Sequence, residues 1–94
     1  MNLYHGSIVE VRNLRVTQDN VYSIIAMLAP GILQRLMDER NIDEKEAGSL
    51  LYNSELYGKL EIEETKLWHL SSFMLYSLLK EELETGKITW PEEQ

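Results

Sequence analysis

The sequence predicts a mostly α-helical fold, a small helical bundle of four to five helices with short β-strands at the N- and C-terminal ends. Apolar residues recur at spacings of three and four in two long stretches, 21–37 and 74–83, which is typical of helices that bury one face. Asp43 and Glu46 stand in a capping-box relation, the clearest helix-start signal in the chain. Strand formers in period-two alternation are confined to the ends, so strands are expected only there.

The 94 residues are interpreted as a single domain, 1–94. Residues 1–16 form a short strand segment that could be a remnant of another fold, residues 19–86 form the helical core, and residues 87–94 form a tail. There is no cysteine, which excludes disulfides and thiolate chemistry and is typical of a reducing compartment. The longest nearly apolar run, 24–33, is far shorter than the roughly 20 residues that span a bilayer. We expect a soluble, cytoplasmic protein with no membrane association.

The charge balance narrows the class of partner. The formal net charge is −7, from 16 acidic and 9 basic residues. Such a field repels phosphate backbones, and the basic residues are scattered along the chain, so nucleic-acid binding is not expected. An acidic surface of this kind suits a basic protein partner.

The first residues carry a short family resemblance. The run Leu3-Tyr4-His5-Gly6-Ser7 resembles the opening strand of ADP-ribosyltransferase-fold proteins of the poly-ADP-ribose polymerase and diphtheria-toxin type, in particular an uncharacterised bacterial branch that begins with LYHGS. The resemblance implies that His5 hydrogen-bonds a ribose of NAD and that the backbone of Gly6 approaches the nicotinamide amide. It covers only about the first dozen residues, and nothing after Arg15 supplies the tyrosine-bearing strand and the glutamate strand that such a transferase needs. The alternative is that Gly6 makes a turn and His5 is an exposed turn residue.

The first helix is predicted over residues 20–40. Thr17, Asp19 or Asn20 can cap its start, and Pro30 is expected to kink it or to break and restart it. Its inward residues are predicted to be Val21, Ile24, Ile25, Leu28, Ile32 and Leu36, and its apolar arc is widened by Tyr22, Ala26, Ala29, Leu33 and Met37. An arc of more than half the wheel predicts that the helix is covered on more than one side.

Three further helices are predicted over 44–53, 55–61 and 72–85. Their starts are assigned to Asp43, to Ser54, and to Ser71 or Ser72, and Gly86 is expected to end the last helix in the left-handed conformation. The apolar arc of the last helix includes Met74, Leu75, Tyr76, Leu78, Leu79 and Leu83, and Glu82 intrudes on it only at the last turn. After it, residues 88–90 are a strand candidate.

Two groups between these helices could carry chemistry. Glu61, Glu63 and Glu64 could bind a cation, but no histidine or aspartate of suitable spacing accompanies them, so a solvated acidic loop is the preferred interpretation. Trp68 is expected to fill a groove between helices. His69, with no nucleophile motif near it, is interpreted as a structural residue. No catalytic residue, metal site or cofactor is therefore predicted.

A second resemblance covers most of the chain. Residues 21–85 resemble small helical bacterial proteins of unassigned function, on the runs 52–57, 64–69 and 76–84, and members of that group resemble companions of the LYHGS-type proteins. Two functions follow. The first is a non-enzymatic helical protein–protein interaction module, with the acidic, antitoxin-like companion of an ADP-ribosyltransferase-fold protein as its specific form. The second is an NAD- or nucleotide-binding transferase remnant whose site around His5 and Gly6 is completed by another subunit.

The predicted interaction surface lies on the outer side of the first helix. Two short helices and marginal strands cannot cover the apolar arcs of both long helices, so a homodimer or a bacterial protein partner is expected to do so. The candidate residues are Tyr22, Ala26, Leu33, Met37 and Trp68. The alternative is that the N-terminal strands and Trp90 fold back over the same arc within one chain.

Overall fold

The computed structural model describes residues 16–91. These residues form four α-helices, α1 (Val21–Arg40), α2 (Glu44–Tyr52), α3 (Glu55–Leu60) and α4 (Ser72–Thr85), with two 3-10 helices, Glu63–Thr65 and Leu67–His69, between α3 and α4. Every α-helix begins and ends within one residue of its predicted bounds, so the mostly helical fold is confirmed. The 3-10 helices were not predicted.

The predicted C-terminal strand is wrong. Residues 87–91 have no regular secondary structure, and no strand occurs elsewhere in the part of the chain that the structure describes. The physical reason lies in Glu81, whose carboxylate accepts the backbone N–H of Thr89 at 2.9 Å and its hydroxyl at 2.7 Å. A side chain of α4 thus takes the hydrogen bond that a neighbouring strand would have accepted. The predicted N-terminal strand, with His5 and Gly6, lies outside the described residues.

The helix-start signals read from the sequence are confirmed for the three later helices. Asp43, Ser54 and Ser71 each accept a hydrogen bond from the backbone N–H three residues on, at 2.8, 3.0 and 3.1 Å. Each bond satisfies a first-turn donor that has no partner inside its own helix. Gly86 ends α4 with φ +79, as its position predicted.

The first helix differs from prediction in detail. Asn20 occupies its N-cap position, but the Asn20 side chain accepts the backbone N–H of Thr17 at 2.9 Å and makes no capping bond to α1. The helix continues through Pro30, so the predicted alternative of a break and restart is wrong.

The core lies where α1 packs against α2 and α4, and where α3 packs against the same two helices. Its buried members are Val21, Ile25, Ala29, Ile32, Leu36, Ala47, Leu51, Leu56, Leu60, Leu67, Leu75, Tyr76, Leu78 and Leu79. Met74, which the sequence placed on the apolar arc of α4, is 42% exposed. The buried face of α4 is thus narrower than its apolar arc.

The long helices approach closely at Gly31 and Ser72. The Ser72 hydroxyl donates to the Leu28 carbonyl at 2.8 Å. A Cβ placed on Gly31 would lie 2.8 Å from both the Cβ and the Oγ of Ser72, too close for a relaxed contact. Glycine at this position therefore permits the packing distance between α1 and α4.

Candidate interaction surface

The predicted interaction residues divide into two groups. Tyr22 is 50% exposed and Ala26 is also exposed, so both lie on the surface of α1. Leu33, Met37 and Trp68 are partly buried and pack against the core. The structure thus leaves the outer side of the first turns of α1 open and uses the rest of the predicted stripe partly for intramolecular packing.

Trp68 is fixed by polar contacts as well as by packing. Its indole N–H donates to the Glu63 carbonyl at 2.9 Å, and the Lys66 ammonium lies 6.0 Å from the ring centroid. The His69 ring meets the indole edge-on at 5.8 Å, and Lys66 pairs with the Glu63 carboxylate at 2.9 Å. These contacts organise the corner formed by the 3-10 helices.

An exposed group of tyrosines was only partly anticipated. Tyr52 of α2 and Tyr57 of α3 meet edge-to-face, with ring centroids 5.0 Å apart and an interplanar angle of 85°. The Gln18 side chain, one turn before Tyr22, bonds to the backbone of Glu61 and Glu63, which brings the start of α1 beside the end of α3. Tyr22 and Glu61 both contribute to raising the pKa of Tyr57. We call Tyr22, Tyr52, Tyr57 and Glu61 the tyrosine surface.

Helix geometry explains why these tyrosines reach the surface. Each one directly follows a fully buried aliphatic residue, respectively Val21, Leu51 and Leu56. Because successive side chains of an α-helix are turned by about 100°, the residue after a buried position lies at the edge of the buried face. The contact between Tyr52 and Tyr57 and the Gln18 bridge from the start of α1 to the end of α3 bring these edges to one rim.

Two further interactions hold this rim together. The Gln18 side-chain amide donates to the Glu61 carbonyl at 2.7 Å and accepts the backbone N–H of Glu63 at 3.0 Å, which ties the segment before α1 to the end of α3.

The pKa of Tyr57 is raised, first by burial and then by the nearby Glu61 and the other two tyrosines. Tyr57 is therefore a neutral hydrogen-bonding group at physiological pH.

Two further apolar side chains are exposed, one on each long helix. Phe73 is 58% exposed, and the Arg35 guanidinium lies 5.5 Å from its ring centroid. Met27 is 77% exposed on α1. Neither Phe73 nor Met27 was predicted as a site residue, and an aromatic residue left off the apolar arc of α4 was the signal that could have found Phe73.

Polar side chains of the long helices form one small network. The Tyr76 hydroxyl donates to the Glu39 carboxylate at 2.6 Å, and Lys80 lies 3.3 Å from the same oxygen. The hydrogen bonds from Tyr76 and Lys80 lower the pKa of Glu39. Burial, followed by the bond to Glu39, raises the pKa of Tyr76 to about 12. This network joins α1 to α4 one to two turns beyond Ser72.

Between residues 16 and 91, no group of three or more histidines or acidic residues is placed to hold a metal ion. Over the same range, none of the helices combines the length and the apolar character needed to cross a bilayer. Comparisons of the whole chain with protein-family models, with curated proteins and with solved structures gave no match.

Proposed function

We propose that this chain is a non-enzymatic helical protein–protein interaction module that acts as a homodimer or binds another bacterial protein. The observation that supports it is the exposure of aromatic side chains on a small bundle, with Tyr22, Tyr52 and Phe73 between 49 and 58% exposed. Tyrosine and phenylalanine are enriched at protein interfaces, where their large rigid rings are buried at low entropic cost.

The specific form that we propose is the acidic, antitoxin-like companion of an ADP-ribosyltransferase-fold protein. It is supported by the resemblance of residues 21–85 to small helical companion proteins and by the net charge of −7. Since the chain has no cysteine, a reducing compartment such as the cytoplasm suits it.

Sedimentation equilibrium tests the proposal on the full chain at micromolar concentration. We expect a mass above the 11.0 kDa of one chain, either alone or after mixing with a purified LYHGS-type protein from the same bacterium. Association should weaken when Tyr22 is replaced by alanine, because half of that ring is available to a partner. A single 11.0 kDa species under both conditions, unchanged on concentrating, would contradict the proposal.

A further inference from the structure

We propose that the tyrosine surface is a docking site for an arginine-bearing basic segment of a partner protein. This inference rests on the proposed interaction function and names the surface and the chemistry of its occupant. It depends on three observations about the described residues: the exposure of the rings, the charge beside them and the placement of the chain's own cations.

The rings form an aromatic platform that a partner can reach. Tyr22 and Tyr52 are 50 and 49% exposed, and the edge-to-face contact with Tyr57 holds the Tyr52 ring in one orientation. A ring that is already oriented loses little rotamer freedom on binding. The platform is thus suited to stacking with a planar group.

The charge beside the rings is negative. Glu61 lies four residues after Tyr57, at the end of α3, so both side chains lie on one side of that helix. Its backbone carbonyl is held by Gln18, which fixes the position of Glu61 relative to α1. A carboxylate next to an aromatic face favours a cation, and a guanidinium can stack on the ring while it pairs with the carboxylate.

The chain's own cations are placed on other aromatic residues. Within residues 16–91, the two cations that lie over aromatic rings are Arg35, at Phe73, and Lys66, at Trp68. The tyrosine surface has no such cation among the described residues. The tyrosine surface therefore has rings and a carboxylate but no cation from the described residues, whereas Phe73 and Trp68 each have a cation of the same chain beside them.

Charge also argues against a second copy as the occupant. A two-fold interface through this surface would bring one Glu61 towards the other, between two chains of net charge −7. A basic segment would not be repelled by Glu61, and the net negative charge of the chain would attract it. We therefore assign the surface to a partner of opposite charge.

The experiment is a titration of the full chain, followed by aromatic side-chain NMR. The probe is a synthetic peptide of alternating leucine and arginine with blocked ends, and its control has citrulline, the neutral isostere, in place of arginine. We expect the arginine peptide to shift the ring signals of Tyr22, Tyr52 and Tyr57 while those of Phe73 stay in place. The citrulline peptide should bind more weakly, and added salt should weaken the binding of the arginine peptide.

A matched pair of variants separates local from diffuse attraction. Glu61→Gln and Glu64→Gln remove the same charge, but Glu64 is an exposed residue of the 3-10 corner and has no part in the tyrosine surface. We expect Glu61→Gln to lower the affinity for the arginine peptide about two- to fivefold. Glu64→Gln should lower that affinity less. Tyr52→Ala should likewise weaken binding more than Phe73→Ala does.

Several results would overturn the inference. Equal weakening by the two glutamate variants would make the attraction a property of net charge alone. Loss of a dimer on Tyr52→Ala would assign the surface to a second copy. Peptide binding that tightens more after Arg12→Ala and Arg15→Ala than after the same loss of charge at Lys45 and Lys87 would assign it to the chain's own first residues. Failure of the peptide to bind a chain that still associates in sedimentation would refute this surface alone, whereas loss of both would refute the proposed function too.

Discussion

At the scale of single residues, two helical glycines lie in opposite environments. A Cβ on Gly31 would lie 2.8 Å from Ser72, whereas a Cβ on Gly58 would meet nothing within 4 Å. Neither has the positive φ that only glycine adopts easily. Glycine in an exposed helix costs roughly 0.5–1 kcal/mol relative to alanine. Replacement by alanine is therefore expected to stabilise the fold at Gly58, where the methyl group has room, and to destabilise it at Gly31, where it does not.

We therefore predict that Gly58→Ala stabilises the fold by about 0.5–1 kcal/mol. Gly31→Ala should destabilise it by about 1–3 kcal/mol, because the added methyl group forces α1 and α4 apart. Urea unfolding followed by circular dichroism measures both changes. A Gly31→Ala variant as stable as the parent, or more stable, would show that the close approach of the long helices does not depend on Gly31.

Tyr76 provides a pH-dependent prediction at the same scale. The pKa of this buried phenol is raised to about 12 in the folded protein, from an ordinary value of 10.0, so the neutral form is favoured by folding. A group whose pKa is raised on folding contributes stability below its unfolded pKa and loses it as the pH rises through the folded pKa. We expect the free energy of unfolding to fall between about pH 10 and pH 12.

The control for this prediction is Tyr76→Phe, which keeps the ring and removes the ionisable hydroxyl. The variant should be less stable than the parent at pH 7 by about 1 kcal/mol, the usual contribution of one hydrogen bond. Its stability should decline less steeply above pH 10, and Tyr57, whose pKa is also raised, should account for part of what remains. An identical decline in parent and variant would exclude Tyr76 as the responsible group.

At the scale of elements, the short helix α3 depends on a side chain from another helix. The Glu82 carboxylate of α4 accepts the backbone N–H of Glu55 at 2.8 Å and that of Leu56 at 3.1 Å. Together with the Ser54 cap, it satisfies donors of the first turn of α3. From its position in the sequence, Glu82 is only a polar intrusion on an apolar arc, whereas its contacts show that it joins two helices.

We predict that Glu82→Ala destabilises the fold by about 1–2 kcal/mol, because two first-turn N–H groups lose a charged acceptor. Amide hydrogen exchange should show the loss at α3 first, in the protons of Glu55 and Leu56. Glu84→Gln is the matched control in the same helix. It should leave stability unchanged or slightly higher, since an acidic residue near a helix C-terminus opposes the helix dipole.

At the scale of the whole molecule, the described residues bear on the interaction function but not on the transferase alternative. His5 and Gly6, on which that alternative depends, lie outside them. A single strand cannot build a pocket that holds both halves of a dinucleotide. We therefore expect calorimetric titration of the full chain with NAD to give no binding tighter than about millimolar. Saturable micromolar binding that is lost on His5→Ala would instead support the transferase remnant.

Local patterns in the sequence were sufficient to predict the four α-helices and three of their caps. Those features depend on residues within one or two turns of each other, as Asp43 and Glu46 illustrate. The predicted strand at 88–90 failed because strand formers alone do not define a strand. A strand needs a neighbouring strand to accept its backbone hydrogen bonds. Here the Glu81 side chain accepts the backbone N–H of Thr89 instead.

The candidate surface divides in the same way. The sequence alone determined that Tyr22 lies at the edge of an apolar arc. Only the tertiary structure decided that Tyr52 and Tyr57 join it, and that Phe73 has its own guanidinium. The physical reason is that helical periodicity assigns each residue to a face of its own helix. Which faces meet at one rim depends on how the helices cross. Residues at the crossings, such as Gly31 and Ser72, set that geometry.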